Sequence, residues 1–196
     1  MLAFCLGVLG FILFFIYDIN SYTVRSRALG LSFAVGAILV AVSAGMQLFS
    51  AWKLGAFSGP LDIVLLILGA LALAALIYCL FFALPFSETY LSPSGSGRVY
   101  DKGAYALCRH PGVLCFFAMF LFWGLAALPT LFILRGMILS VLNAAYALFQ
   151  DRVTFPKTFP DYPEYRSRVP FLIPSESSFR SACHTLSHSG GKRKKK

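Results

Sequence analysis

Acidic side chains are scarce in this chain: eight Asp and Glu stand against seventeen Lys and Arg in 196 residues, and all charged residues together make up 13%. A soluble domain carries about twice that charged share, so a globular fold surrounded by water is excluded. Paired cysteines are missing too. Cys5, Cys79, Cys108, Cys115 and Cys183 contain no C-x-x-C spacing and are odd in number, which argues against a disulfide framework or a metal ribbon. The first four lie in or beside apolar runs and read as small buried hydrophobes; for Cys108 a second reading stays open, a reactive thiol, since an adjacent Arg109 could lower its pKa. No strand precedes Ser94-Gly95-Ser96-Gly97 and no P-loop lysine follows it, so that stretch reads as a flexible turn rather than a phosphate cradle.

What is abundant is apolar. Hydrophobic residues reach 58% of the chain and aromatic ones 16%, with a mean hydropathy of +0.75, the composition of an integral membrane protein. The formal charge of +9 looks like a nucleic-acid footprint until its location is seen. Five of its cations are the closing run Lys192-Arg193-Lys194-Lys195-Lys196, which on a membrane protein faces anionic lipid; no nucleic-acid partner is expected.

Read in order, Leu2 to Tyr17 is an unbroken apolar run without a basic leader or a small-residue cleavage site, and is expected to be a short first transmembrane helix. A second run, Leu29 to Phe49, spans about 30 Å at 1.5 Å per residue, enough to cross a bilayer. Its Gly30, Gly36 and Gly45 suit close helix packing. Trp52 and Lys53 mark an interfacial loop, and Asp62 stands near the start of a third span, Ile63 to Leu84. The polar loop Pro85 to Arg109 follows, long enough to carry function. The apolar stretch Val113 to Phe149 is too long for one crossing and reads as a helical hairpin turning at Pro129, with Arg135 snorkelling from its second arm. The charges and prolines of Gln150 to Pro174 exclude a further crossing, and Ser175 to Gly191 reads as disordered.

The expected architecture is therefore an all-α, polytopic membrane protein of about five transmembrane helices. Residues 1–174 form a single domain and 175–196 a disordered basic tail. With the N-terminus outside, Arg25, Arg27, Arg98, Lys102, Arg109 and the basic C-terminal region fall inside and Lys53 outside, as the positive-inside rule demands. The polar loop and the C-terminal segment then share the cytoplasmic face. Oligomeric state is left open.

Within that loop, Arg109-His110-Pro111 places a cation, an imidazole and a ring-locked backbone where a membrane helix begins. Ionisable residues at that depth are expensive and read as functional. Gly103-x-Tyr105 with Arg109-His110-Pro111, an apolar hairpin, an acidic helix end and then Tyr162-x-x-Tyr165-x-x-x-Val169-Pro170-x-x-Ile173-Pro174 resembles the isoprenylcysteine carboxyl methyltransferase and phospholipid methyltransferase superfamily, over roughly Leu66 to Pro174. The resemblance implies an intramembrane enzyme with a cytosolic cofactor pocket, which takes S-adenosylmethionine from the cytosol and methylates a lipophilic acceptor, a lipid or a prenylated or hydrophobic small molecule, arriving from the bilayer.

It also implies roles. Arg109 would fork onto the cofactor carboxylate, and His110 would bond the amino-acid moiety or stack near the adenosine. Gly103 and Pro111 would shape the backbone, and Asp151 and Glu164 would meet the ammonium or ribose hydroxyls. Tyr105, Tyr162 and Tyr165 would offer ring faces to the sulfonium. Arg109, His110 and Glu164 are the candidate catalytic residues, His110 or Glu164 as base if the acceptor must lose a proton. No metal is expected. The chain departs from the family where Ala104 and Ala106 replace a proline and an arginine, Val113 a tyrosine and Gln150 an acid. Two alternatives follow: a relative that keeps the fold without turnover, or a membrane reductase whose NADPH 2′-phosphate would be met by Arg166 and Arg168.

Overall fold

The computed structural model describes residues 1–83, 99–128 and 130–189, side chains excepted at 184 and 186–189. The turn residue Pro129, the Ser94 to Gly97 stretch and the basic tail lie outside the described residues. Helices are α1 Leu2–Tyr22, α2 Arg27–Gly30, α3 Ser32–Lys53, α4 Pro60–Ile77, α5 Ala104–Leu107, α6 Pro111–Ala126, α7 Phe132–Phe149, α8 Phe155–Thr158, α9 Tyr162–Arg168 and α10 Glu176–Ser189. A π-helical turn, Tyr78–Phe82, follows α4, and another, Gln150–Thr154, joins α7 to α8. Among the described residues, four stretches are long and apolar enough to cross a membrane, Leu2–Tyr22, Arg27–Lys53, Pro60–Phe82 and Phe132–Thr158; α6 is a shorter apolar helix. The protein is all-helical among the described residues and built for a bilayer. Ile12, Ile38 and Leu71, each at least half exposed on these helices, are the side chains that hydrocarbon would cover.

Contacts divide the chain into two units, residues 1–73 with 116–154, and residues 74–115 with 155–196. In the first, α1 lies along α3 at very short range. A Cβ on Gly10 would stand 2.7 Å from the Gly36 carbonyl oxygen, and one on Gly36 2.7 Å from that of Gly10. Gly30 and Gly45, expected to serve the same purpose, have nothing within 4 Å of such a Cβ. Of the three glycines, only Gly36 lies on the packed face, which spacing alone does not reveal. Aromatic rings fill the space between α1 and α7: Phe14 stacks on Tyr146 at 5.4 Å and Phe15 meets Phe149 at 5.2 Å. The α6–α7 hairpin closes where Gly136 admits the Phe120 ring, and Trp123 seats against Gly69 while its indole N–H donates to the Leu66 carbonyl at 3.2 Å.

The first helix runs five residues beyond its expected end at Tyr17 and carries Asp18 and Asn20 into buried positions, 2% and 6% exposed. Thr154 donates its hydroxyl to the Asp18 carboxylate at 3.3 Å. Asn20 exchanges bonds with Ser26, accepting its N–H at 2.8 Å and donating to its carbonyl at 2.9 Å. Both side chains find polar partners, so the helix can continue past the apolar run. At the start of α4, the Asp62 carboxylate accepts the N–H groups of Ser58 and Gly59 at 3.0 and 2.8 Å, as its place near a helix start implied.

In the second unit, Tyr162, Tyr165 and Val169 form a buried core with Val99, Phe155 and Phe159 packed around it. The disorder expected over Ser175 to Gly191 is corrected across Glu176–Ser189, which forms α10. Ser175 and Ser178 exchange bonds at its start, at 2.9 and 3.2 Å. Ser178 and Ala182 bury one face of the helix, 3% and 6% exposed, and α10 packs on α5. Composition pointed the other way because the buried stripe consists of small, weakly apolar residues.

Candidate functional site

The stretch around Arg109 is shaped by its own sequence. Gly103 adopts φ 60° and ψ −127°, a conformation that a side chain makes costly, and so turns the chain into the four-residue α5. Cys108 is extended, and Pro111 opens α6 at the helix position where a missing N–H costs nothing. Arg109 and His110 are thereby left between two helices with their backbone N–H groups uncommitted to either. These are taken by the C-terminal segment: the Arg109 N–H donates to the Pro170 carbonyl at 2.9 Å and that of His110 to the Phe171 carbonyl at 3.3 Å.

The guanidinium of Arg109 completes the junction. Its Nη1 donates to the carbonyls of Arg166 at 2.8 Å and Val169 at 2.6 Å. These carbonyls stand at the end of α9, where the helix leaves acceptors unsatisfied and carries partial negative charge, so a cation there is favoured twice. His110, 8% exposed, stacks on Phe155 with centroids 5.8 Å apart and planes 7° from parallel, and meets the edge of Phe171 at 5.1 Å. Tyr165 donates its hydroxyl to the Tyr105 carbonyl at 2.7 Å, and Tyr105 donates in turn to the Cys79 carbonyl at 3.0 Å.

The second unit thus brings together Gly103, Tyr105, Arg109, His110, Pro111, Tyr162, Glu164 and Tyr165. Tyr162 is a core residue, its ring 5.4 Å from that of Phe155 and 5.9 Å from that of Tyr165. Glu164 lies on the exposed side of α9, 3.5 Å from Arg168, which also reaches Asp101 at 3.7 Å. Asp151 is 2% exposed, on the π-helical turn of the first unit. Sequence reasoning missed Phe155 and Phe171 as partners of His110, and the carbonyls of Arg166 and Val169 as acceptors. Backbone oxygens carry no side-chain signature, which is why no motif marks them. Among the described residues, no group of three His, Cys, Asp or Glu is placed to hold a metal ion.

Of the two readings of Cys108, the structure supports the buried one and not the reactive thiol. It is fully buried, and loss of solvent pushes its pKa from 9.0 up to about 11, with the His110 backbone pulling weakly the other way. The native state therefore holds this proton more tightly than the unfolded chain does. The stability it contributes is intact below pH 9.0 and lost as pH climbs towards about 11. At neutral pH a membrane-impermeant maleimide will modify the exposed Cys183 readily and Cys108 only after denaturation, read by peptide mass spectrometry. Equal labelling of the two in native protein would contradict this burial.

Among the described residues the protein is all-helical, with four membrane-length apolar helices and a polar junction between two sequence motifs. No family model matches the chain, and no solved structure matches it. It is 30% identical over 104 residues to the nickel-cobalt-cadmium resistance protein NccN of Alcaligenes xylosoxydans xylosoxydans, a match covering 52% of this chain and 47% of that protein. The chain spans about half the length of the curated relative it matches.

Proposed function

We propose that this protein is an integral membrane methyltransferase of the isoprenylcysteine carboxyl and phospholipid methyltransferase type, moving a methyl group from S-adenosylmethionine to a lipophilic acceptor. In this reading the chain crosses the bilayer five times, α6 included, with the N-terminus outside and the site in the cytosol. One observation supports it above the others. Arg109-His110 and the Tyr162 to Phe171 segment, separated by a whole apolar hairpin in sequence, are joined by two backbone bonds and a bifurcated guanidinium.

The donor set fits the cofactor. Arg109 offers positive charge for a carboxylate, Glu164 negative charge for an ammonium, and the rings of Tyr105 and Tyr165 are of the kind that favours a sulfonium by about 0.5–2 kcal/mol. His110, held flat against Phe155, suits the neighbourhood of an adenine. The bound cofactor supplies an activated methyl group with a good leaving group. The protein's part is to orient the acceptor and keep water out, and His110 or Glu164 takes the acceptor's proton if it has one to lose.

Calorimetry of the purified protein in nanodiscs should show S-adenosylhomocysteine binding at about 1 μM to 1 mM, the ordinary range for enzyme ligands. Absence of heat and of any thermal shift at millimolar ligand would remove the proposal, and stabilisation by NADPH instead would point to a reductase. A second reading, a contribution to nickel, cobalt or cadmium resistance, is favoured by the partial match to NccN. Growth of a deletion strain in those salts tests it, unchanged tolerance removing it.

A further inference from the structure

The resemblance that motivates the proposed function ends at Pro174, yet the chain beyond it returns to the site. Thr185, on α10, accepts the N–H of Gly103 on its hydroxyl oxygen at 3.1 Å. The hydroxyl proton is committed elsewhere, to the Ala182 carbonyl one turn back at 2.9 Å, so the oxygen is turned to accept. Gly103 needs such a partner. It precedes a helix of only four residues, where no earlier turn supplies an acceptor for its N–H. The stripe Ser178, Ala182 and Thr185 lies on one face of α10, and α10 packs on α5.

We infer that α10 belongs to the cofactor site and that Thr185 is a positioning residue, holding the Gly103 turn that presents Tyr105. The inference rests on the methyltransferase reading. The coupling runs through a chain of hydrogen bonds: Thr185 to Gly103, Gly103 through its carbonyl to the Ala106 N–H at 3.1 Å, and the Tyr105 carbonyl between them to the Tyr165 hydroxyl at 2.7 Å. A slack Gly103 therefore loosens Tyr105 and, through it, the α9 side of the junction.

The full-length protein in nanodiscs tests this with two variants. Thr185→Val keeps the shape and removes the acceptor; Thr185→Ser keeps both the acceptor and the donor. Hydrogen exchange in the peptide covering Gly103 to Leu107 should rise roughly 3- to 10-fold in Thr185→Val, the worth of one ordinary hydrogen bond. S-adenosylhomocysteine affinity should fall by a similar roughly 3- to 10-fold, and Thr185→Ser should match the wild type in both. Unchanged exchange in Thr185→Val overturns the anchoring role. Faster exchange with unchanged affinity separates α10 from the site, and tighter binding makes the helix an obstruction; either overturns the inference. Wild-type protein that binds no S-adenosylhomocysteine defeats the methyltransferase reading and the cofactor half of this inference, while the exchange measurement still decides whether Thr185 holds the turn.

Discussion

Gly36→Leu will destabilise the protein by about 1–3 kcal/mol or more, while Gly45→Leu, nine residues along the same helix, will stay within about 0.5 kcal/mol of the wild type. Both positions are glycine in an apolar helix and look alike in sequence. At Gly36 a Cβ meets the Gly10 carbonyl oxygen at 2.7 Å and the Phe14 ring at 3.0 Å, and the nearest obstacle is backbone, which cannot rotate away. Relief requires α1 and α3 to separate, which opens the aromatic packing of Phe14 on Phe33 and Tyr146. At Gly45 the same atom enters open space. Small residues at helix contacts matter in membranes because packing, not water, holds the helices together. Reversible unfolding in mixed detergent measures both variants; equal losses would show that Gly36 is not at the crossing.

Arg109→Ala should have the second large effect, a loss of about 1.5–3 kcal/mol from charged hydrogen bonds to the α9 carbonyls, together with loss of S-adenosylhomocysteine binding. The carbonyls of Arg166 and Val169 lose their shared donor, and the backbone bonds of Arg109 and His110 to Pro170 and Phe171 are left to hold the junction alone. Arg109→Lys should recover only part of the stability, since an ammonium is a point donor where the guanidinium is a planar fork. Proteolysis of the segment from Tyr162 to Phe171, followed beside ligand binding, separates two roles. Lost binding with an intact, protected segment assigns Arg109 to the ligand itself. Lost binding with rapid cleavage assigns it to docking the segment. Wild-type protection and binding in Arg109→Ala would contradict both.

The helix-forming regions were legible because a bilayer demands long apolar runs and tolerates few charges. Leu29 to Phe49 and the two arms of the hairpin were placed within a few residues of Ser32–Lys53, Pro111–Ala126 and Phe132–Phe149. The extension of α1 past Tyr17 was not legible. Asp18 looks like an end signal until Thr154, 136 residues away in sequence, supplies its hydrogen bond. The order in α10 was hidden for a related reason: Ser178 and Ala182 become a buried face only when α5 is present to cover them.

The same division holds at the candidate site. The residue types were visible in sequence, since Arg109, His110, Tyr105 and Tyr165 are conspicuous in a chain so poor in polar groups. Their relations were not. That Arg109 caps the end of α9, that His110 lies flat on Phe155 and that Tyr165 holds the Tyr105 carbonyl are contacts to backbone oxygens and rings over 45 to 60 residues of sequence, where no periodicity operates. By itself the sequence determined a membrane protein of apolar helices with polar motifs at their ends, because transfer of side chains from water to hydrocarbon is nearly a sum over residues. Only the tertiary structure decided which glycine meets a helix, which acid is buried and which carbonyls Arg109 satisfies, because those depend on a partner that distant chain must bring into place.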